Sequence, residues 1–382
     1  MPLGPQYMRL MHITPAQFNI IVAAYAVAAG ISGIAAGFFL DRFDRKTALQ
    51  WLFLGFAAGT LCCALAPTYQ LLVASRALAG AFGGVTGAVI LAIVGDVIPE
   101  YRRGKAMGLV MSAFSIASIF GVPLGLAMAT SFSWHVPFYA IAGISVPILA
   151  AVFRHVPPLR GHMEHGREQH PVARMLAVLL EPSHQVAFLF MAALTCAGFF
   201  VVPTMATYMV YNAGLSERQL PLIYLIGGAC TFFSMNLVGR WADRAGKLRV
   251  FTLMSLVSSV PILVLTNLPR VPVLVALAVS TSFMIGMSGR FVPAMAMMTA
   301  TVESRFRGGF MSVNSAVQQF SCGLAAWVGG LIIGLGPHQE IIHYSTSGLV
   351  SCSFVLICIW LARFLRPAPG ELTSAPALAE TF

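Results

Sequence analysis

The sequence predicts an all-α membrane protein, and three observations carry that prediction. Of 382 residues, 58% are hydrophobic and 9% charged, against about 25% charged in a soluble domain. The apolar residues are gathered into long runs, and the basic residues into short clusters between them. Hydrocarbon offers no water to the backbone, so runs of about 20 residues must close their hydrogen bonds internally, as helices. A net charge of +10 could point to nucleic acid, but its division among separate short clusters argues against such a partner.

Residues 1–15 lack the basic-then-apolar pattern of a cleaved signal peptide and read as a loop. Eleven apolar runs follow, at 16–40, 47–66, 70–95, 106–128, 134–153, 185–210, 218–239, 250–268, 272–299, 308–334 and 345–363. Each suffices to cross about 30 Å of hydrocarbon. The uncharged stretch 106–153, with His135 in it, is too long for one span and divides at Ser131–Pro137. The five runs of 1–153 form one bundle and the six of 185–366 another. Between them lies a polar central loop, 154–184, and after them a Pro- and Ala-rich tail, 367–382, expected to be disordered. Four loop histidines (His155, His162, His165, His170) could suggest a metal site; the plainer reading is a solvated basic loop beside anionic lipid. All seven cysteines fall in apolar runs without metal-binding spacing, which fits small packed hydrophobes.

Orientation follows from the basic residues. With the Asp41–Lys46 turn in the cytoplasm, 18 of 23 Lys and Arg fall on that side. Arg9, Arg218 and Arg270 fall opposite, and Arg76 and Arg290 lie inside spans. Basic loops favour the cytoplasm, so the expectation is a bacterial inner-membrane protein with its C-terminus inside and its N-terminus outside.

The chain repeats itself. Gly37-Phe-Phe-Leu-Asp41-Arg42-Phe-Asp44-Arg45-Lys46 is echoed 202 residues later by Gly239-Arg-Trp-Ala-Asp243-Arg244-Ala-Gly246-Lys247. Arg103-Gly104 is echoed 204 residues later by Arg307-Gly308. Such spacing implies two parallel half-bundles related by an axis along the membrane normal.

These stretches resemble the G-x-x-x-D-R-x-G-[RK]-[RK] motif of the major facilitator superfamily, and residues 1–366 follow that family's plan. The resemblance implies a two-bundle fold with pseudo-two-fold symmetry and eleven transmembrane helices, the family's twelve without the first. It implies a cytoplasmic gate in which Asp41 faces a helix N-terminus near Arg307, Arg45 pairs with Asp96, and Arg103 joins them. On the plainer alternative, Arg42, Arg45 and Lys46 only set topology. The first copy departs from the pattern, because Asp44 stands where Gly is usual. Asp tolerates a left-handed turn better than most residues, which lets the loop keep its shape. The second copy keeps Gly246.

A buried arginine costs about 2.5–3.5 kcal/mol even on insertion scales and usually faces a cavity or a partner. Arg76, in Arg76-Ala-Leu-Ala-Gly80, either does so or snorkels, and Gly80, Gly83, Gly84 and Gly87 allow helices to touch closely. Arg290, in Gly289-Arg290-Phe291-Val292-Pro293, is a similar candidate, or lies near the inner end of its span. Gly121-Val122-Pro123-Leu124-Gly125 bends a helix and partly matches the family's drug-antiporter pattern, looking more like its sugar- or nucleoside-efflux members. Asn314 and Gln318 share one helix face; with Tyr208, Tyr224 and Asn236 they are either cavity residues or helix–helix bonds.

No Ser/His/Asp set, phosphate-cradling loop or metal-ligand spacing is evident, so neither an enzyme nor an ATP-driven pump is expected. The resemblance implies a monomeric, proton-driven exporter of a small organic molecule that needs no cofactor. An uptake symporter and a non-transporting protein of the same fold remain alternatives. One feature weighs against proton coupling: Asp41, Asp96, Asp243 and Glu303 all stand at span ends, and no span has an acid in its middle. The expectation is that a first helix carrying such an acid precedes Met1.

Overall fold

The computed structural model describes residues 2–39, 43–99, 102, 106, 109–110, 113, 116–159, 171–303, 306–337 and 339–365. Where a loop was expected at the start, Gly4–Met11 forms helix α1. Pro5 lies in its first turn, where a missing N–H leaves nothing unpaired, and Tyr7 and Met8 are buried. Helices α2 (Pro15–Phe39), α3 (Arg45–Leu65) and α4 (Tyr69–Val97) follow. A π-helical turn at Ala117–Gly121 then runs into α5 (Val122–Ser131). Pro123 offers no N–H to the preceding turn, and the wider turn takes up that misfit. α6 (Val136–His155) completes the first half.

The second half begins before its expected boundary. The central loop contains a helix, α7 (Pro171–Leu180), and His184 is not a loop residue. It is buried in the first turn of α8 (Pro182–Phe199), its Nδ1 3.0 Å from the carbonyl of Val178. His162, His165, His170 and the tail from Pro367 lie outside the described residues.

The expected span 185–210 is two helices, α8 and α9 (Val202–Tyr211), broken at Phe200 and Val201. Pro203, in the first turn of α9, has no N–H to donate to the carbonyl of Phe199 behind it, which favours a break there. Beside the break, the carbonyls of Ala197 and Val201 accept from Ser351 Oγ and Tyr344 Oη. Then come α10 (Leu220–Ala245), α11 (Lys247–Thr266), α12 (Val273–Ala300) and α13 (Arg307–Ile332). A short hairpin of β1 (Gly334–Leu335) and β2 (Ile341–Ile342), where continuous helix and loop were expected, leads to α14 (Tyr344–Ala362).

Among the described residues nine helices are long and apolar enough to cross a membrane, the broken α8–α9 pair counting as one. Two expected spans are not among them. Run 106–128 lies partly outside the described residues, and α13 has the length but carries Asn314, Gln318 and Gln319.

The helix pairings of the first half recur in the second. α2 packs on α4 as α10 packs on α12, α3 on α4 as α11 on α12, and α3 on α6 as α11 on α14. The halves meet along two matching seams, α2 against α13 and α5 against α10. Small residues set the first seam. A side chain added at Gly30, Gly323 or Gly330 would come within 3.0 Å of Phe320, 2.7 Å of Val27 or 2.8 Å of Asn19. At the second seam, Gly228 of α10 lies against Ile119 in the π turn. Trp51, Phe233, Leu237, Leu274 and Trp360 point outward from the bundle, a surface that suits hydrocarbon and not water.

Candidate gate and substrate pocket

The face that carries the motif loops is here the motif face. Asp41, Arg42 and Arg103 lie outside the described residues, as does the side chain of Arg307. The rest of the first loop is well tied. Arg45 is buried, and its Nε lies 3.3 Å from Asp96 Oδ2 on α4, the pairing that the resemblance implies. Lys46 Nζ donates to the Phe153 carbonyl at 2.9 Å, in the last turn of α6, where a cation also meets the helix dipole.

Asp44 does not keep the left-handed turn expected of it: its φ is −55°. It works as a cap instead. One carboxylate oxygen accepts from Lys46 N at 2.9 Å, satisfying a free N–H at the start of α3, and from Leu159 N at 3.0 Å. Arg45 N donates in turn to Leu159 O at 3.3 Å, so the start of the central loop is fastened to the motif. The second copy is bare by comparison. Gly246 turns the chain with φ +92°, and Asp243, Arg244 and Lys247 are exposed, with no ion pair among the described residues. Gly239 has room, the nearest atom to an added side chain being Val292 Cγ1 at 3.6 Å.

At the opposite face the two halves hold each other directly. Arg9 Nη1 lies 2.7 Å from Glu217 Oε1, Tyr211 Oη donates to Pro5 O at 3.5 Å, and Asn19 Nδ2 donates to Thr204 Oγ1 at 3.4 Å. Residues expected to line one cavity are distributed more widely. Arg76 Cζ sits 4.5 Å from the centre of the Tyr25 ring, a cation–π contact within the first half. Gly80 and Gly84 abut the backbone at Tyr25 and Ala29, but nothing lies within 4 Å of a side chain added at Gly87. The glycines around Pro123 are also roomy: nothing lies within 3.8 Å of a side chain added at Gly121 or Gly125. Tyr208 is buried and donates to Leu268 O at 3.1 Å, a helix–loop bond. Tyr224 is half-buried, and Asn236 donates to its own helix at Phe232 O.

Arg290 and Gln318 do come together. They line a cavity of about 70 Å³ with Thr195, Gly198, Met287 and Phe291, so α8, α12 and α13 all contribute. It lies beside the break in α8–α9. Irregular backbone at membrane depth is tolerated where it is buried or lines a cavity, and Gly198 is small enough for the Met287 methyl to pass against it. Asn314, one turn from Gln318, is buried with Oδ1 unpartnered. Sequence reading missed Thr195 and the break. The available signal was Pro203 five residues after Gly198, inside an otherwise unbroken apolar run.

Among the described residues no group of three or more His, Cys, Asp or Glu could hold a metal ion.

Known proteins agree with this architecture. The family model described as Major Facilitator Superfamily matches residues 1–266 and again 188–381, in keeping with a duplicated chain. The inner membrane transport protein YdhP of Escherichia coli (strain K12) is 26% identical, over 96% of this chain and 92% of its own. The chloramphenicol resistance protein of Streptomyces lividans is 25% identical, over 63% of this chain and 62% of its own. Among solved structures, a bacterial homologue of the human lysosomal transporter Spinster, inward-facing and unoccupied, superposes with a TM-score of 0.78 at 14% identity. That match covers 96% of this chain and 94% of that one, and is evidence for the fold alone. Paired half-bundles, the duplicated loop and the family match agree: this membrane chain is a secondary transporter belonging to the Major Facilitator Superfamily.

Proposed function

We propose that the chain exports a small organic molecule from the bacterial cytoplasm, driven by the proton gradient, as a monomer in the inner membrane with its motif face inward. The observation that carries this reading is the pocket beside the broken helix, where Arg290, Thr195 and Gln318 stand among apolar side chains of α8, α12 and α13 in a bundle of two matching halves. Alternating access needs a site near mid-depth and two faces that open in turn. The ion pair Arg9–Glu217 joins the halves at one face, and the Asp44–Arg45–Asp96 loop stands at the other. Inward orientation of the motif face is supported by its excess of Lys and Arg. Efflux is supported by the resistance protein from Streptomyces lividans among the relatives.

The test is accumulation of labelled compounds, chloramphenicol and a series of small organic acids among them, in cells producing the chain or an empty vector. Export predicts lower accumulation of at least one compound with the chain present, restored by a protonophore. Higher accumulation with the chain present would reverse the direction, and indifference to the protonophore would remove proton coupling.

A further inference from the structure

We propose that the Arg290 pocket seats an anionic head group, a carboxylate or similar oxyanion, of the molecule that the protein carries; this rests on the transport reading above. Arg290 is 1% exposed, the largest fully buried side chain in the structure. It is the eighteenth residue of the 28 in α12. At about 1.5 Å per residue it lies roughly 15 Å from the helix end at Ala300 and farther from the other, too deep to snorkel to either face.

Among the described residues nothing balances its charge. Nη2 reaches only the sulfur of Met287 at 2.9 Å, a weak acceptor. Nε and Nη1 have no partner among the described residues. No carboxylate is available along its own helix: the nearest acid in sequence, Glu303, lies beyond the end of α12. A buried cation in a membrane protein ordinarily has a partner or a water-filled cavity beside it; here it has a cavity.

The cavity is built for an oxyanion. Its other polar side chains, Thr195 and Gln318, can donate a hydroxyl and an amide, and neither brings negative charge. The planar guanidinium matches carboxylate and phosphate geometry better than an ammonium would. The first turn of α9, the positive end of a helix dipole, begins three residues beyond Phe199, itself part of the lining. Size sets the division of the ligand. About 70 Å³ accommodates a head group, whereas whole drug-sized molecules occupy about 300–1,000 Å³. The remainder of the molecule therefore lies outside this pocket.

The probe pair is benzoate and benzamide, nearly alike in shape and differing in charge. Thermal unfolding of the purified full chain is followed in chloride-free buffer with either compound, with inorganic phosphate and with citrate. Benzoate, citrate or phosphate should raise the midpoint of the wild type by several degrees while benzamide does not. Arg290→Met should lose the rise and Arg290→Lys keep part of it. Gln318→Leu, which leaves the guanidinium in place, should weaken the response several-fold and covers the case in which an Arg290 variant does not fold. Equal responses to benzoate and benzamide, no response to any anion, or a full response in Arg290→Met would overturn the proposal. A response that added chloride reproduces in full would assign the pocket to an inorganic ion and overturn it as well.

Counterflow in proteoliposomes separates this failure from failure of the transport reading. If benzoate binds through Arg290 and is never exchanged, the anion site stands and transport falls. If benzoate is exchanged equally by wild type and Arg290→Met, transport stands and the anion site falls.

Discussion

Arg76 and Arg290 are the two arginines inside spans, one in each half, and the structure treats them differently. Arg76 lies eight residues into α4 and rests on the ring of Tyr25. Arg290 lies deep in α12 with two of its three nitrogens unpartnered, facing a cavity. A charge inside a span is thus not by itself a site. The deciding point is whether the protein supplies its partner. The motif loops divide in the same way: the first is fastened by Asp44, Arg45 and Lys46, and the second turns on Gly246 with its charges exposed. The first half fixes its charges in pairs near the motif face, while the second keeps a bare charge in its interior.

The largest expected effect breaks the loop comparison. Asp41→Asn should abolish transport at unchanged membrane level, and Asp243→Asn should leave most of it, both measured in vesicles against immunoblotted protein. Equal behaviour of the two would remove the functional asymmetry between the loops.

Next comes the buried ion pair. Arg45→Met leaves Asp96 facing a side chain that cannot pair with it. Losing one partner of a buried pair costs about 3–5 kcal/mol. Asp96 is 37% exposed at its side chain, so the loss here should be about 1–2 kcal/mol after screening. Thermal unfolding should register it, and adding Asp96→Leu should restore part of the loss.

A smaller effect separates the two turns. Asp44→Ala removes the helix cap and the bond to Leu159, about 1 kcal/mol by analogy with other caps, and should expose the central loop to protease. Asp44→Gly should not rescue it, since the backbone at φ −55° needs no glycine. At Gly246 the reverse holds: φ +92° strains any side chain, so Gly246→Ala should cost about 1 kcal/mol without changing cleavage of the loop. The smallest effect is at Tyr25. Tyr25→Leu should remove the cation–π contact with Arg76, about 0.5–2 kcal/mol, and leave the benzoate response of Arg290 intact.

Much of this was legible in the sequence because it rests on local pattern. Apolar runs mark most of the helices, and the duplicated loop anticipates the paired halves. Arg45 and Asp96 could be matched because the family resemblance implies their pairing. The rest depends on what meets what across the fold. Asp44 was read by its tolerance of a left-handed turn, yet a contact 115 residues away, at Leu159, gives its carboxylate another use. Tyr208 was read as either a cavity residue or a helix–helix bond, and its hydroxyl donates instead to a loop carbonyl, Leu268 O. The break at Phe200 was hidden because Ser351 and Tyr344, far along the chain, donate to the carbonyls of Ala197 and Val201 beside it. Arg290 and Gln318 were both candidates, and only the packing of α12 beside α8 and α13 makes them neighbours.

The central claim is that two half-bundles rock about the pocket. Spin labels at Leu10 and Ser216, both exposed at the face where Arg9 meets Glu217, report one distance between the halves. Labels at Val97 and Gly308, exposed at the motif face, report the other. Pulsed-EPR distances in a cysteine-free background should show two populations at each face, and benzoate should shift them in opposite directions. One narrow distance at each face, unmoved by benzoate, would contradict the account.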